Sequence, residues 1–95
     1  MKQLEKILKG LANGRRLAIV RLLNKKEELP VSKISEEISL SFTSTSKHLN
    51  LLHKLDILDR RQENLVVYYR LSSNLPYIVK QVLLTLSNSR ELENS

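Results

Sequence analysis

The sequence predicts a mainly α-helical fold that carries one two-stranded β-hairpin, an α+β arrangement. In five stretches, apolar residues recur at the spacing of one helical face. Two short runs between residues 57 and 71 are rich in branched and aromatic side chains, which favour strands. The predicted order is four helices, the hairpin and a fifth helix. At 95 residues the chain is too short for two cores, so we expect a single domain over residues 1–95.

The first two helices are separated by a turn at Asn13-Gly14. The second helix extends from this turn until its apolar pattern fades at Asn24-Lys25-Lys26. Asn13 is a candidate N-cap, because its side-chain oxygen can accept a hydrogen bond from the first turn. The apolar face of the first helix consists of Leu4, Ile7, Leu8 and Leu11.

A short third helix is predicted for residues 32–38, after Pro30, which lacks the N–H that a mid-helix residue must donate. Leu40-Ser41 interrupts the pattern. Ser41 is well placed to cap a fourth helix that ends near Leu55. The inward face of that helix would be formed by Thr45, Leu49, Leu52 and Leu55.

The hairpin is predicted from strands at residues 57–61 and 65–71. The polar residues Gln62-Glu63-Asn64 would join them, with the tip in water. A fifth helix follows, with Pro76 in its first turn and its end near Asn88. Residues 90–95 are polar and are expected to form a frayed tail.

Charge and composition restrict the function. Lys and Arg number 16 against 10 Asp and Glu, a net charge of +6, and residues 1–26 alone carry +7. A basic balance suggests nucleic acid or an acidic membrane as partner. The absence of cysteine excludes disulfides, thiol nucleophiles and thiolate metal sites. Because no apolar tract is long enough to span a bilayer, we expect a cytoplasmic protein with no membrane partner.

Two short helices joined by a tight turn and followed by a hairpin form the winged helix-turn-helix plan, in which the second helix of the pair lies in the major groove of DNA. Here that helix covers residues 42–55. No Asp or Glu occurs between Leu40 and Leu55, as a surface that approaches phosphate requires. The candidate DNA-contacting residues on its exposed face are Thr43, Ser44, Ser46, Lys47 and Asn50.

Three segments carry a family resemblance: LKGLANGRRLAIVRLL, ELPVSKISEEISLSFTSTSKHLNLLHKLDIL and VVYYRLS. Through them the chain resembles the ArsR/SmtB family of bacterial and archaeal winged-helix repressors, over nearly all of residues 8–72. Ser46-Lys47-His48-Leu49 stands where that family typically has Ser-His-His-Leu. The resemblance implies a DNA-binding repressor and adds His48 to the groove-facing residues. It assigns the predicted hairpin, called the wing, to DNA contact through Arg60 and the turn from Gln62 to Asn64, although Glu63 at the tip would repel phosphate. Arg61 and Asn64 are included with Arg60 among the candidate DNA-contacting residues of the wing.

The chain lacks the metal-binding residues through which many members of that family sense a metal. Many members bind a metal through Cys-Val-Cys at the start of the third helix, and the matching residues here are Pro30-Val31-Ser32. Others use His and Asp on the last helix, yet residues 71–95 contain neither. His48 and His53 are five apart on one helix and point in different directions. We therefore expect no metal and no cofactor. A small organic ligand, a protein partner, the protein's own concentration or no effector at all remain open, and autoregulation without an effector is the working hypothesis.

The fifth helix has an apolar band too broad for a single contact stripe. One side would cover the domain and the other a second copy of the chain, although both could be buried within one subunit. Two recognition helices related by a two-fold axis would read a near-palindromic operator. The predicted dimer interface comprises Leu4, Ile7, Leu8, Leu11, Ile78, Val79, Val82, Leu83 and Leu86.

The leading hypothesis is thus a homodimeric, sequence-specific repressor that binds double-stranded DNA. The alternative is a winged-helix module that binds another protein and uses DNA only weakly. No enzyme is expected, because Ser46 and His48 are two apart on a helix with no supporting carboxylate. Phe42 either presses on a thymine methyl group or packs against its own domain. Arg15 and Arg16 either contact phosphate or pair with Glu36 or Glu37.

Overall fold

Five helices and a small antiparallel sheet make up residues 1–88, the part of the chain that this computed structural model describes. The predicted tail at residues 90–95 lies outside it. The elements are α1 (Lys2–Leu11), α2 (Gly14–Lys25), β1 (Leu29–Pro30), α3 (Val31–Glu37), α4 (Phe42–Lys54), β2 (Leu58–Glu63), β3 (Val66–Leu71) and α5 (Tyr77–Ser87). The expected order of helices and hairpin is confirmed, as is the winged helix-turn-helix fold. None of the helices in residues 1–88 has the length and apolar character needed to cross a membrane.

The inward face of α4 lies at the centre of the core. Thr45, Leu49 and Leu52 are completely buried and Leu55 nearly so, as the helical spacing predicts. They pack with buried side chains of the neighbouring elements, among them Ile19 of α2. Because α4 is buried along one side, its opposite side is held in a fixed direction towards solvent.

Side-chain caps hold the beginnings of α2 and α4, as expected. The Asn13 side chain accepts a hydrogen bond from the Arg16 N–H at 3.1 Å, and Ser41 Oγ accepts one from the Ser44 N–H at 3.1 Å. Two predicted helix starts need correction by one residue. Pro30 is the N-cap of α3, and Pro76 is the N-cap of α5 rather than part of its first turn. Both prolines therefore precede their helices, where a missing N–H costs nothing.

The sheet has three strands rather than the predicted two. Its order is β1-β3-β2, and all neighbours are antiparallel. Leu29 pairs with Tyr69 and Pro30 with Tyr68. A proline is tolerated in an edge strand, because the side without a neighbour needs no donor. β1 thus ties the start of α3 to the middle of the wing.

The hairpin turn also differs from the predicted one. Glu63 pairs with Val66, so the connection consists of Asn64 and Leu65 instead of residues 62–64. Asn64 has a φ of 56°, a left-handed conformation that Asn tolerates better than most residues. The turn therefore forms at Asn64 and leaves Leu65 at the tip of the wing.

Helices α3 and α4 end in the same way. After α3, Ser39 has a φ of 55°, its N–H donates to the Glu36 carbonyl, and the Leu40 N–H donates to the Ser35 carbonyl. After α4, Asp56 has a φ of 61° and repeats the pattern. This is the Schellman arrangement, in which glycine is the usual left-handed residue. Neither glycine of the chain has a positive φ, so ordinary side chains occupy both left-handed positions.

Candidate nucleic-acid interface

An open groove of about 980 Å³ lies between α4 and the wing. It brings together seven of the ten residues predicted to contact DNA: Phe42, Thr43, Ser46, Lys47, Asn50, Arg60 and Arg61. The other residues that line it are Pro30, Val31, Ser32, Gln62, Leu65, Val66, Val67 and Tyr69. The groove thus has a polar helical wall and a wing wall that is partly apolar.

The helical wall is formed by one face of α4. Thr43, Lys47 and Asn50 are exposed and follow one another at spacings of four and three residues, so they lie in a row. Ser46 beside them is half-buried. Phe42 is 58% exposed at the start of α4, and so it is not packed inside its own domain. This row can donate hydrogen bonds, accept them and offer one cation.

Two predicted residues of α4, Ser44 and His48, do not line the groove. Both are half-buried. The Nδ1 atom of His48 lies 3.2 Å from Nη1 of Arg16. Since a guanidinium only donates, Nδ1 must accept this hydrogen bond and the imidazole must be neutral. Burial lowers the pKa of His48, and the positive charges of Arg16 and Arg15 lower it further.

Arg15 and Arg16 are anchored by backbone carbonyls. Arg16 Nε donates to the Gly10 carbonyl, and Arg15 Nη1 donates to the carbonyls of Ile38 and Ser39 at 3.3 and 3.5 Å. Together with the hydrogen bond from Arg16 to His48, these bonds take the place of the ion pairs with Glu36 or Glu37 that the sequence left open. Arg15 therefore holds the turn between α3 and α4 against α2.

In the wing, Arg61 is held by the protein itself. Its guanidinium donates to Glu28 at 2.8 Å and to Glu63 at 3.0 Å, and it lies over the Tyr68 ring, 4.4 Å from the centroid. These hydrogen bonds raise the pKa of Arg61, and the bond from Arg61 lowers the pKa of Glu28. Sequence reasoning missed this cluster, because Glu28 and Arg61 are 33 residues apart and are brought together by the pairing of both β1 and β2 with β3.

Arg60 is placed differently. It pairs with Tyr69 across the hairpin, is exposed and lines the groove, and no ion pair to it is found within the described residues. Asn64 is exposed at the wing tip outside the groove lining, and its carbonyl accepts a hydrogen bond from Gln62 Nε2 at 3.1 Å. Arg60 is therefore the wing cation that faces the groove with its charge uncompensated.

The positions of the family's thiol ligands do not fit a metal. Pro30 has no donor side chain, and Ser32 is exposed on α3 and offers only a hydroxyl group. Within residues 1–88 no three His, Asp or Glu side chains gather in a way that could hold a metal ion.

The predicted dimer residues divide into three sets, which are buried, exposed or half-buried. Ile7, Leu11, Val79 and Leu83 are buried in the core of the protomer itself, because α1 and α5 pack on it through these side chains. Leu4 and Leu8 are 42% and 46% exposed and line a shallow apolar depression with Met1 and Ala12. Ile78, Val82 and Leu86 are half-buried. Tyr77 and Leu84, which were not predicted, are exposed on α5.

Comparison with known proteins gives the family. The sequence profile described as "Bacterial regulatory protein, arsR family" matches residues 13–60, from the cap of α2 to the middle of β2. The chain belongs to the arsR family. A structure described as HlyU from Vibrio cholerae N16961 has a TM-score of 0.79 and 32% identity, over 94% of this chain and 92% of that chain.

Other arsR-type relatives agree. The cadmium resistance transcriptional regulatory protein CadC of Listeria innocua is 41% identical over 61 residues, 64% of this chain and 51% of CadC. A homodimeric winged helix-turn-helix DNA-binding domain from Mycobacterium bovis has a TM-score of 0.78 and 28% identity, over 99% of this chain and 85% of that one. The chain spans about half the length of the CadC proteins it matches.

Proposed function

We propose that the chain is a homodimeric, sequence-specific transcriptional repressor that places α4 in the major groove of a near-palindromic operator. The observation that carries the proposal is the row of Thr43, Lys47 and Asn50, exposed on one face of α4 and facing the same groove as Arg60. Membership of the arsR family supports it.

The side chains of this row suit base edges. Lysine donates to guanine O6 and N7, asparagine pairs with adenine N6 and N7, and threonine accepts several bases. Arg60 would reach a phosphate at the edge of the DNA major groove. No acid lies on α4 to repel the backbone.

The dimer would form through the exposed parts of α1 and α5. Leu4, Leu8 and Leu84 are between 42% and 57% exposed, and an apolar surface of this kind is stabilised when a partner covers it. The Mycobacterium bovis relative is described as homodimeric. Such a dimer would place its two recognition helices about 34–36 Å apart, one turn of DNA.

Repression is the proposed direction, because a dimer that occupies a promoter excludes polymerase without any further contact. Transcription from a promoter that contains the bound sequence should fall as protein is added. An increase would instead favour an activator and would overturn this part of the proposal.

The decisive experiment is fluorescence anisotropy on the duplex upstream of the chain's own gene and on an unrelated duplex, at two salt concentrations. Specific binding should exceed unrelated binding by about a thousandfold or more at physiological salt. Lys47→Glu should abolish the preference, because it puts an acid into the groove. The matched control is Lys6→Glu, the same charge change on the side of α1 opposite Leu4 and Leu8, and it should leave the preference intact.

Two results would contradict the proposal. One is equal, weak binding to both duplexes that vanishes with salt, which indicates a generic basic surface and favours the protein-interaction module. The other is an unchanged affinity of Lys47→Glu.

The proposed regulation needs no effector, because the activity of the repressor depends on its own concentration. The replacement of both thiol positions by Pro30 and Ser32 supports this. Native mass spectrometry should give the mass of the bare dimer. A metal or small molecule bound in stoichiometric amount would overturn it.

A further inference from the structure

We propose that Arg16 is a positioning residue that joins α1, the helix with the exposed apolar surface, to the recognition helix α4 and thereby sets the half-site spacing that the dimer accepts. This inference rests on the proposed function, a dimer that reads two half-sites. It gives Arg16 a part in specificity without any contact to DNA.

The first argument is the set of atoms that Arg16 joins. Its Nε donates to the carbonyl of Gly10 in the last turn of α1, and its Nη1 donates to Nδ1 of His48 on α4 at 3.2 Å. Its backbone N–H donates to the Asn13 side chain at 3.1 Å, so the bridge starts from a capped first turn of α2. Because Gly10 is buried and Arg16 and His48 are half-buried, these hydrogen bonds are stronger than they would be in water.

The second argument is the position of the bridge along α4. Gly10 also lies against the side chain of Leu55, the residue that ends α4. Leu55 follows His48 by seven residues, which corresponds to about 10 Å along a helix. The end of α1 is therefore tied to α4 at two separate points. Since apolar packing is non-directional, the hydrogen bonds of Arg16 supply the directional part of this attachment.

The third argument is the place of the two helices in the proposed dimer. Leu4 and Leu8 are exposed on α1, the helix whose last turn Arg16 holds. Lys47, next to His48 on α4, belongs to the row that lines the groove. Arg16 therefore fixes this row relative to the proposed dimer surface. Because a two-fold axis repeats any shift in the second subunit, a small displacement of α4 is up to doubled in the separation of the two rows.

Arginine is the side chain that this bridge requires. Its planar guanidinium holds several donors in fixed directions, so it reaches the Gly10 carbonyl and the His48 ring at the same time. Lysine carries the same charge as a single ammonium group on a flexible stem, without this geometry. Arg16→Lys is therefore the informative change, since it removes the bridge and keeps the charge that a phosphate contact would need.

The test uses the full chain and a paired site that the wild-type protein selects from a randomised pool. Fluorescence anisotropy compares this duplex with versions in which one base pair is added or removed between the half-sites. One base pair moves the half-sites by about 3.4 Å and rotates them by about 35°. The wild type should lose about tenfold or more in affinity, as for one mismatched base pair. Arg16→Lys should lose only about threefold or less, because its recognition helices adapt to the new separation.

Further measurements separate this role from a purely structural one. In Arg16→Lys, the base preference within each half-site and the slope of affinity against salt should be unchanged, because the row on α4 and the total charge stay the same. Sedimentation at the concentrations of the binding experiment should show a dimer. Arg60→Lys is the matched control, and this exchange on the groove side of the wing should weaken binding equally at every spacing.

Variants of His48 examine the other end of the bridge. His48→Leu removes the acceptor and should relax the spacing preference as Arg16→Lys does. His48→Asn should retain the wild-type preference, because the Oδ1 atom of asparagine stands at the position of Nδ1 and accepts the hydrogen bond. The combination of Arg16→Lys with His48→Leu should be no more relaxed than either change alone. If Arg16→Lys does not fold, the comparison of the two His48 variants decides.

The outcomes are distinguishable. If the wild-type protein selects no sequence, or binds a single half-site as tightly as the pair, the proposed function fails and this inference fails with it. If a paired site is selected but Arg16→Lys keeps the wild-type spacing preference, only the inference is overturned. A relaxed preference in a variant that has become monomeric would overturn it as well.

Discussion

His48 of α4 accepts a hydrogen bond from Arg16 of α2, with 3.2 Å between Nδ1 and Nη1. Arg16 also donates to the Gly10 carbonyl at the end of α1. Arg16 therefore connects three helices, and its hydrogen bond to His48 requires a neutral imidazole. Protonation of His48 would remove the acceptor and place a second positive charge beside the first.

Stability should consequently decrease in mild acid. Because the folded state lowers the pKa of His48, the unfolded chain binds its proton more readily. The contribution of His48 is fully present above the unfolded pKa of about 6.5 and is lost as the pH falls through the lower folded value. Urea unfolding at several pH values between 8 and 5 measures it.

The variant His48→Gln keeps an acceptor for Arg16 but cannot titrate, so its stability should change less over this range. His53→Gln removes the other imidazole and is the matched control. A pH dependence that survives in His48→Gln and disappears in His53→Gln would contradict the assignment.

Thr45→Val should stabilise the fold. Thr45 is completely buried, and its hydroxyl oxygen has no hydrogen-bond partner among residues 1–88. Valine has nearly the same shape, so the change removes the cost of a buried, unpaired hydroxyl, about 1 kcal/mol or more in the free energy of unfolding. Thr43→Val, on the exposed face of the same helix, should change stability by less than about 0.5 kcal/mol. Equal effects of the two changes would show that burial is not the cause.

Gly10 of α1 faces the side chain of Leu55, the C-cap residue of α4. A Cβ atom added to Gly10 would lie well inside van der Waals contact with Leu55 Cδ1. Gly10→Ala should therefore cost about 1 kcal/mol of stability through overpacking, despite the better helix propensity of alanine. In a Leu55→Ala background, where the space is open, the same change should gain about 0.5–1 kcal/mol. Additive effects in a double-mutant cycle would contradict this contact.

Patterns repeated within one helix were predictable from sequence, and contacts between distant segments were not. The spacing of Thr45, Leu49 and Leu52 identifies the inner face of α4, and with it the outer row that lines the groove. β1 was not predicted, because a strand of two residues has no periodic pattern. It forms by pairing with Tyr68 and Tyr69 of β3.

In the candidate site, too, positions on one helix were predictable from the sequence and contacts between distant segments were not. Thr43, Lys47 and Asn50 line the groove as the helical period predicts. His48 and Arg61 have contacts decided by Arg16 and Glu28, each more than 30 residues away in sequence. The sequence pattern predicts a strand at Leu65 because the residue is apolar, whereas the left-handed conformation of Asn64 places Leu65 at the tip of the turn.

The turn between α3 and α4 offers a last test, because Ser39 holds a left-handed conformation there without being glycine. A side chain in this region costs about 1 kcal/mol or more, and glycine avoids that cost. Ser39→Gly should raise the free energy of unfolding by about 0.5–1 kcal/mol, after the larger entropy of glycine in the unfolded chain is subtracted. Asp56→Gly should gain less, since Asp tolerates this conformation better than Ser.

The control is a serine-to-glycine substitution at a helical position, with the free energy of unfolding measured by chemical denaturation. Ser32 lies in α3, where glycine should lower the free energy of unfolding by about 0.5–1 kcal/mol. The two serine-to-glycine changes should thus have opposite signs, because only Ser39 is left-handed. A loss of stability in Ser39→Gly as large as that in Ser32→Gly would show that the serine is not strained. The Arg15 hydrogen bonds to the Ile38 and Ser39 carbonyls would then be sufficient to account for the shape of the turn.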